Sequence, residues 1–484
     1  MLDQTLAWEK AVAGLQQFWG YSQFRPLQGE AVTCLLRHQD ALVMLPTGAG
    51  KSVCFQLPAL LQPGLTIVIS PLVALMENQV QALHKRHLPA AAIHSQLSSQ
   101  QRRQTLWQLE HQHLRLLYLS PELLVSKAIW DRLCHPHLQI QNLIVDEAHC
   151  IEQWGNSFRP VYRRLGAIRP ALLQAKSAQS KIGPIALAAY TATANATTQK
   201  EIQAVLNLQN PQVLRSSPYR PNLELQVKTV WTPACRRQQL LRFIESQGQS
   251  SGLVYTSSRR LSEALAVWLH HHQQHTVAYH AGLSPGERRQ IEAEWLAGHL
   301  PYVICTSAFG MGIDKPNVRW VAHYQPPLSL SAYLQEVGRA GRDQMRSQTL
   351  LLASEPTGWL DPEDRQIRQY FLKQLRSQQQ AAQQLAHQLP TQGHIEAVTQ
   401  QFPQAEKALA LLHQSGHLVW EDPFHFCLHS HSQAVSQYVF PLQEMTDYLF
   451  TRQCRWQFIL ERFGFRSNAQ NFRCGHCDRC RPMF

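Results

Sequence analysis

Short apolar runs recur along this 484-residue chain, each separated from the next by a stretch with helical spacing. Ala41 to Leu45, Leu65 to Ile69, Leu116 to Leu119, Leu143 to Val145 and Ile185 to Tyr190 lack the polar alternation of a half-exposed strand. They read as strands buried on both faces, and the helical stretches between them predict parallel pairing through crossover helices. A second series of the same kind starts near Leu223 and includes Gly252 to Tyr255, Tyr302 to Cys305 and Trp320 to His323. Two α/β domains are therefore expected. The periodicity breaks between residues 207 and 221, where Pro211, Pro218 and Pro221 fall close together, so the domains are drawn at 1–210 and 211–355. Residues 356–484 remain as a mainly helical C-terminal region.

Between the first strand and the next helix stands Met44-Leu-Pro-Thr-Gly-Ala-Gly-Lys-Ser52. Strand, glycine-rich turn and helix start are the setting a phosphate loop needs. Beside Thr47, Gly48 and Gly50 let the backbone aim N–H groups at phosphate oxygens, and the helix N-terminus adds partial positive charge there. Lys51 would reach the β- and γ-phosphates, and Ser52 would bind Mg²⁺. The strict pattern asks for glycine at position 45, where this chain has leucine. About a hundred residues on, the run Leu143-Ile-Val145 delivers Asp146 and Glu147 at a strand end, where ligands of parallel sheets sit. Asp146 would hold magnesium, and Glu147 would orient and deprotonate the attacking water. Either motif alone could be an ordinary turn or a solvated strand end. Both in this order make a nucleoside-triphosphate engine.

A second signature follows Ser331-Ala-Tyr333: Gln335-Glu-Val-Gly-Arg-Ala-Gly-Arg-Asp343. On a helix, Arg339 and Arg342 would share a face. A γ-phosphate whose charge moves to the leaving oxygen needs such cations, so a site completed when the two domains close is expected.

The formal charge of +12 and a pI near 9.3 suggest a polyanionic partner once a motor motif is present. No apolar run of about eighteen residues occurs, and the N-terminus lacks a signal peptide's basic and apolar regions, so no membrane partner is expected. The expected location is cytoplasmic, associated with the nucleoid if the source is bacterial. Seven of the eleven cysteines are scattered, as reduced core thiols would be. Cys454 and the Cys474-x-x-Cys477-x-x-Cys480 run group as a closed four-thiolate zinc site with a structural role. His476 reads as a bystander, because four cysteines already complete the shell.

The phosphate loop, the Asp146-Glu-Ala-His-Cys150 run and the Gln335 to Asp343 segment are joined by four others. These are Tyr21-Ser-Gln-Phe-Arg-Pro-Leu-Gln28, Ser70-Pro-Leu-Val-Ala-Leu-Met76, Thr191-Ala-Thr-Ala194 and Ala308-Phe-Gly-Met-Gly-Ile-Asp-Lys315. As a set they resemble the RecQ family of DNA helicases, within helicase superfamily 2, over roughly residues 10–352 and again at the terminal cysteines. The resemblance implies two tandem RecA-like domains, with Tyr21, Arg25 and Gln28 on adenine, so that ATP is favoured over GTP. The segment from Cys150 to Pro160 is similar to the family's aromatic-rich loop. There Trp154 and Phe158 offer stacking faces and Arg159 meets phosphate or stacks, with His149 as relay to the hydrolytic pair. Ser70, Thr191, Thr193, Thr256 and Ser307 would face backbone phosphates, contacts that ignore base sequence. Also implied are 3′-to-5′ translocation on single-stranded DNA, unwinding of tailed or branched duplexes in repair and recombination, and function as a monomer. The cofactors are ATP, Mg²⁺ and Zn²⁺. An RNA helicase of the same superfamily and a DNA-binding scaffold with a dead motor are the alternatives.

Past residue 352 the chain departs from that family's plan. With Phe484 four residues past Cys480, the family's winged helix and further small domain are not expected in their usual place after the cysteines. An insertion of about seventy residues precedes the cysteine region at 445–484, starting with the Gln-rich stretch Gln374 to Gln388 and continuing to about Gln443. Within 390–430 two helices are followed by two strands around a turn. That is the order of a winged helix; a plain helical insertion is the alternative. Its second helix has Lys407 as its one firm cation, which is poor for reading a DNA groove.

Overall fold

In the computed structural model, the structure describes residues 2–155, 158–177, 183–309, 313–429 and 442–481. Asn156 and Ser157 of the aromatic-rich loop, Gly310 to Gly312 and the end of the expected insertion, 430–441, lie outside these. The described chain forms two compact units.

The first unit is built on a seven-stranded, wholly parallel sheet. Its strands are β1 Ala41–Met44, β2 Leu65–Ile69, β3 Ala90–Ile93, β4 Leu116–Leu119, β5 Ile140–Val145, β6 Ala186–Thr191 and β7 Gln212–Arg215, in spatial order β3-β4-β2-β5-β6-β1-β7. Six of the seven are buried along most of their length, which is why they read as unbroken apolar runs. The edge strand β7 is exposed at three of four positions. It lies inside the stretch taken as a boundary, so the first unit runs on to Ser216 rather than ending at 210. Proline-rich flanks suit an edge strand as well as a linker.

The second unit has a six-stranded parallel sheet of β8 Leu223–Val230, β9 Gly252–Tyr255, β10 Thr276–Tyr279, β11 Tyr302–Cys305, β12 Trp320–His323 and β13 Ser347–Ser354. The order is β10-β11-β9-β12-β13-β8. Gly252 is required by packing: a Cβ there would sit 1.9 Å from the Trp320 indole.

The segment expected as one C-terminal region, 356–484, is divided between the units. Helix Glu363–Ala386 runs without a break through the start of the expected insertion. From Leu375 the chain belongs to the first unit, where β14 Gln392–His394, helices Ile395–Gln401 and Ala405–Gln414, and the hairpin β15 Leu418–Trp420 with β16 His425–Leu428 follow. The three strands are antiparallel in the order β14-β16-β15. Residues 442–481 belong to the second unit. There Trp456 Nε1 donates to Leu223 O at 3.2 Å and the Asp478 N–H to Leu225 O at 3.1 Å, both on β8. No helix among the described residues is long and apolar enough to cross a membrane.

Candidate functional site

Because the first sheet is parallel, β2, β5, β6 and β1 end side by side and their following loops share one rim. Lys51 opens helix Lys51–Leu61, which Gly50 caps in the left-handed region at φ 77°. Gly48 has φ 81°, a conformation that glycine takes at no steric cost. The Lys51 ammonium donates to Leu45 O at 3.3 Å. Asp146 is buried, and its carboxyl is pushed up to about 7, first by burial and then by Glu147, against the opposing pull of Lys51. Glu147 stands in the left-handed region at φ 49°, strain a non-glycine residue accepts where the surroundings impose it.

His149 links this pair to the next strand. Its Nδ1 lies 3.3 Å from Glu147 Oε2 and 3.0 Å from Thr191 Oγ1, and burial holds its pKa down. Thr191 therefore departs from its expected place on a phosphate. Its side chain is fully buried, and Oγ1 also accepts from the Thr193 N–H at 3.2 Å, so the hydroxyl is engaged within the protein. Among the described residues, Ser70 Oγ and Thr193 Oγ1 are buried hydroxyls without a hydrogen-bond partner.

Tyr21 is half exposed, leaving a ring face open to a base. Gln28 is buried, and its amide is already engaged: Oε1 accepts from the Arg25 N–H at 2.9 Å, and Nε2 donates to Ala49 O at 2.8 Å and Gly50 O at 3.2 Å. Gln28 thus ties the Tyr21–Gln28 segment to the phosphate loop, and a contact with adenine requires an exchange of these bonds.

The aromatic-rich loop follows helix Cys150–Trp154. Trp154 is half-buried against the core, whereas Phe158 is 68% exposed, and the rings meet edge to face at 5.6 Å. The Arg159 guanidinium sits 5.7 Å from each ring, donates to Pro71 O and pairs with Glu122 at 3.4 Å. It pins the loop to the segment after β2. The chain then enters a 3-10 helix, Pro160–Ala167.

In the second unit, the helix expected to carry both arginines ends at Val337, and Arg339 and Arg342 lie in the turn beyond it. Glycines at 338 and 341, the latter at φ 59°, favour a turn over a continued helix. Both side chains are nearly buried. Arg342 pairs with Asp314 Oδ1 at 2.6 Å and donates to Ile313 O at 3.0 Å; burial, then the charge of Arg339, lowers its pKa. Ser307 is exposed after β11, while Thr256 after β9 is buried with Oγ1 directed at Cys305 O, 3.3 Å, so of the two only Ser307 stands open.

Cys454, Cys474, Cys477 and Cys480 bring their sulfurs within 4.8 Å of one another, with 3.9 Å from Cys474 to Cys480 and from Cys454 to Cys477. Tetrahedral zinc with bonds of about 2.3 Å sets sulfurs roughly 3.8 Å apart, so the set fits. Backbone N–H groups of Cys474, Arg455 and Cys477 point at Cys454, Cys477 and Cys474 sulfurs at 3.3–3.5 Å, the donors that thiolates need. His476 Nδ1 is 2.8 Å from Cys474 O. Buried Arg455 grips Asp478 through two bonds of 2.9 and 2.8 Å, bracing the knuckle.

Three families match parts of the chain: DEAD/DEAH box helicase over residues 25–202, helicase conserved C-terminal domain over 235–344, and RecQ zinc-binding over 427–481. An ATP-dependent DNA helicase RecQ of Synechocystis is 52% identical over 474 residues, 96% of this chain and 97% of its own. The chain belongs to the RecQ family. A Haemophilus influenzae ATP-dependent DNA helicase RecQ is 37% identical over 77% of this chain, which spans 59% of that relative. Among solved structures, the Mycobacterium smegmatis helicase Lhr bound to ssDNA and AMP-PNP has a TM-score of 0.55 at 22% identity, covering 70% of this chain and 47% of its own. That likeness concerns the fold, which is two RecA-like parallel-sheet domains with a helical C-terminal region holding a four-cysteine cluster.

Sequence reasoning did not find the buried arginines that carry this frame. Arg236 is fully buried between Asp361 at 2.7 Å and Asp364 at 3.1 Å. Arg163 and Arg164 are buried in the 3-10 helix. A charged residue is ordinarily read as exposed, so its type gives no signal of burial along the sequence.

Proposed function

We propose that this chain is an ATP-dependent DNA helicase that couples ATP hydrolysis to 3′-to-5′ translocation on single-stranded DNA and to duplex unwinding in repair and recombination. What carries the reading is the pair of close contacts that His149 Nδ1 makes with Glu147 Oε2 and Thr191 Oγ1, beside the loop from Trp154 to Arg159. DNA stacked on Trp154 and Phe158 shifts Arg159 and the helix holding Cys150 to Trp154, and that shift reaches His149, the residue just before this helix. The hydrolytic carboxylate is thereby realigned when DNA is present.

In this mechanism Lys51 neutralises the β- and γ-phosphates, and Glu147 takes the proton of the attacking water. Buried Asp146 beside the carboxylate of half-buried Glu147 suits a divalent cation, with Ser52 and Asp146 as oxygen ligands for Mg²⁺. Bound there, the ion would supply charge neutralisation at the phosphates. Arg339 and Arg342 supply positive charge as the phosphoryl group transfers. Tyr21, Arg25 and Gln28 hold adenine, and Ser70, Thr193 and Ser307 meet DNA phosphates without reading sequence.

Strand separation measured on 3′-tailed and 5′-tailed duplexes, with ATP hydrolysis assayed on single-stranded DNA and RNA, tests this reading. Unwinding of the 3′-tailed substrate and DNA-stimulated hydrolysis, both abolished in Lys51→Ala, are expected. A preference for the 5′ tail overturns the polarity, stimulation by RNA alone overturns the substrate, and unstimulated hydrolysis overturns the motor.

A further inference from the structure

The segment 375–429 has no part in the site just described, yet it is packed on the chain segment that follows the aromatic-rich loop. Arg164, 6% exposed, sends Nη2 to Glu406 Oε1 at 2.7 Å and Nη1 to Pro423 O at 3.2 Å, and its guanidinium lies 5.7 Å from the Trp420 ring. The neighbouring Arg163 pairs with Glu201, whose Oε1 also receives Gln414 Nε2 at 3.4 Å. Ala167 joins the apolar cluster of Leu409, Leu412, Leu418 and Phe426, and Phe424 meets Trp130 edge to face at 5.5 Å. On the opposite side the 3-10 helix is pressed against helix Ala196–Val205, where a Cβ on Gly166 would come within 2.1 Å of Val205 O.

Helix, strand, two helices and a hairpin, with the sheet ordered β14-β16-β15, is the connectivity of a winged helix. Its second helix of the pair, Ala405–Gln414, would be the one to enter a DNA groove. Here positions 408–412 are buried in succession, more than a full turn, so no side of that stretch is open. Charge points the same way. Residues 375–429 carry the carboxylates Glu396, Glu406, Glu421 and Asp422 against the cations Arg376 and Lys407, in a chain of net charge +12. A 3-10 helix of eight residues is long for its type, whose runs seldom exceed three or four residues and whose hydrogen bonds are poorer than those of an α-helix. Such a segment keeps its shape when something holds it.

We infer that residues 375–429 form a winged helix turned from DNA reading to clamping: it grips the 3-10 helix Pro160–Ala167 through Arg164 and so sets the aromatic-rich loop for DNA-stimulated ATP hydrolysis. This rests on the proposed coupling of that loop to hydrolysis. Arg164 and Glu406 are positioning residues in this scheme and touch neither nucleotide nor DNA. Arg159, which closes the loop, is the residue immediately before the clamped segment, so release of the clamp frees the loop's trailing anchor.

The full chain carrying Glu406→Lys, and the exchanged pair Arg164→Glu with Glu406→Arg, would be compared with the parent by amide hydrogen exchange over 160–167. Basal ATP hydrolysis and hydrolysis with saturating single-stranded DNA would be read on the same samples. In Glu406→Lys, exchange over 160–167 rises and DNA stimulation falls by roughly tenfold, with basal hydrolysis unchanged; the exchanged pair recovers a measurable part of both. Faster exchange with parental stimulation overturns the coupling, and unchanged exchange overturns the clamp. Lys407→Glu is the control for groove reading: a tenfold loss of duplex DNA affinity in that variant overturns the inference by showing that the module binds DNA itself. If the parent chain shows no DNA stimulation, the proposed function has failed, and because the coupling to hydrolysis depends on it, this inference fails with it.

Discussion

At the scale of single residues, the loop from Trp154 to Arg159 shows how one side chain can serve two ends. Trp154 is half-buried against the core of the first unit, so its indole anchors the loop while its free part joins the exposed ring of Phe158. Base stacking on an aromatic ring contributes about 1–3 kcal/mol per base. Trp154→Ala is therefore expected to leave ATP binding intact and to lower single-stranded DNA affinity by roughly 5- to 150-fold, with DNA-stimulated hydrolysis reduced in parallel. Fluorescence anisotropy with a labelled oligonucleotide and a steady-state ATPase assay check it; parental stimulation in the variant would remove Trp154 from the coupling. Gln28 and Thr191 show the reverse case, because hydrogen bonds inside the protein already claim the groups assigned to a ligand. Motif spacing identifies such residues but leaves their bonding partners unstated.

At the scale of elements, the 3-10 helix Pro160–Ala167 and helix Ala405–Gln414 depend on each other across more than two hundred residues of sequence. His413, in the last turn of the second helix, reports on that contact. Burial, with the charge of Arg163 second, pushes its pKa down to about 4 from an ordinary 6.5. The folded state thus refuses a proton that the unfolded state accepts, so stability contributed here is full above about pH 6.5 and is lost as pH falls toward about 4. His413→Leu is expected to shrink the drop in melting temperature between pH 7 and pH 5, within the window of about 6.5 to 4 set by this shift. An equal drop in parent and variant would assign the acid sensitivity to other groups. The turn that carries Arg339 and Arg342 teaches a related point: helical spacing places two arginines on one face only while the helix lasts, and here it stops at Val337.

At the scale of the whole molecule, the chain after residue 355 is shared out, with 375–429 built into the first unit and 442–481 into the second. The zinc cysteines therefore support the second sheet, through Trp456 and Asp478 on β8. Cys477→Ser is expected to lose zinc, measured by elemental analysis, and to speed amide exchange in 442–481 and along β8 while 160–167 keep their protection. One zinc per chain in that variant, or faster exchange at 160–167 to the same degree, would contradict this division.

Two parallel-sheet domains, the glycine-rich turn after β1, the acidic pair after β5 and the four-cysteine cluster were all legible in the linear order of residues. Each is a local pattern: a strand buried on both faces must be apolar throughout, a phosphate loop needs glycines where φ is positive, and a closed zinc site needs thiols at short spacing. The strand β7 was not legible, because an exposed edge carries no apolar run. Nor were the anchoring roles of Arg163, Arg164 and Arg236, or the attachment of residues 375–429 to the first unit. These rest on burial of charge beside a partner far away in sequence, Glu406 for Arg164 and Asp361 for Arg236. A buried arginine is tolerated only where folding brings a carboxylate against it, whether buried as Asp361 is or partly exposed as Glu406 is, and that meeting has no periodicity along the chain.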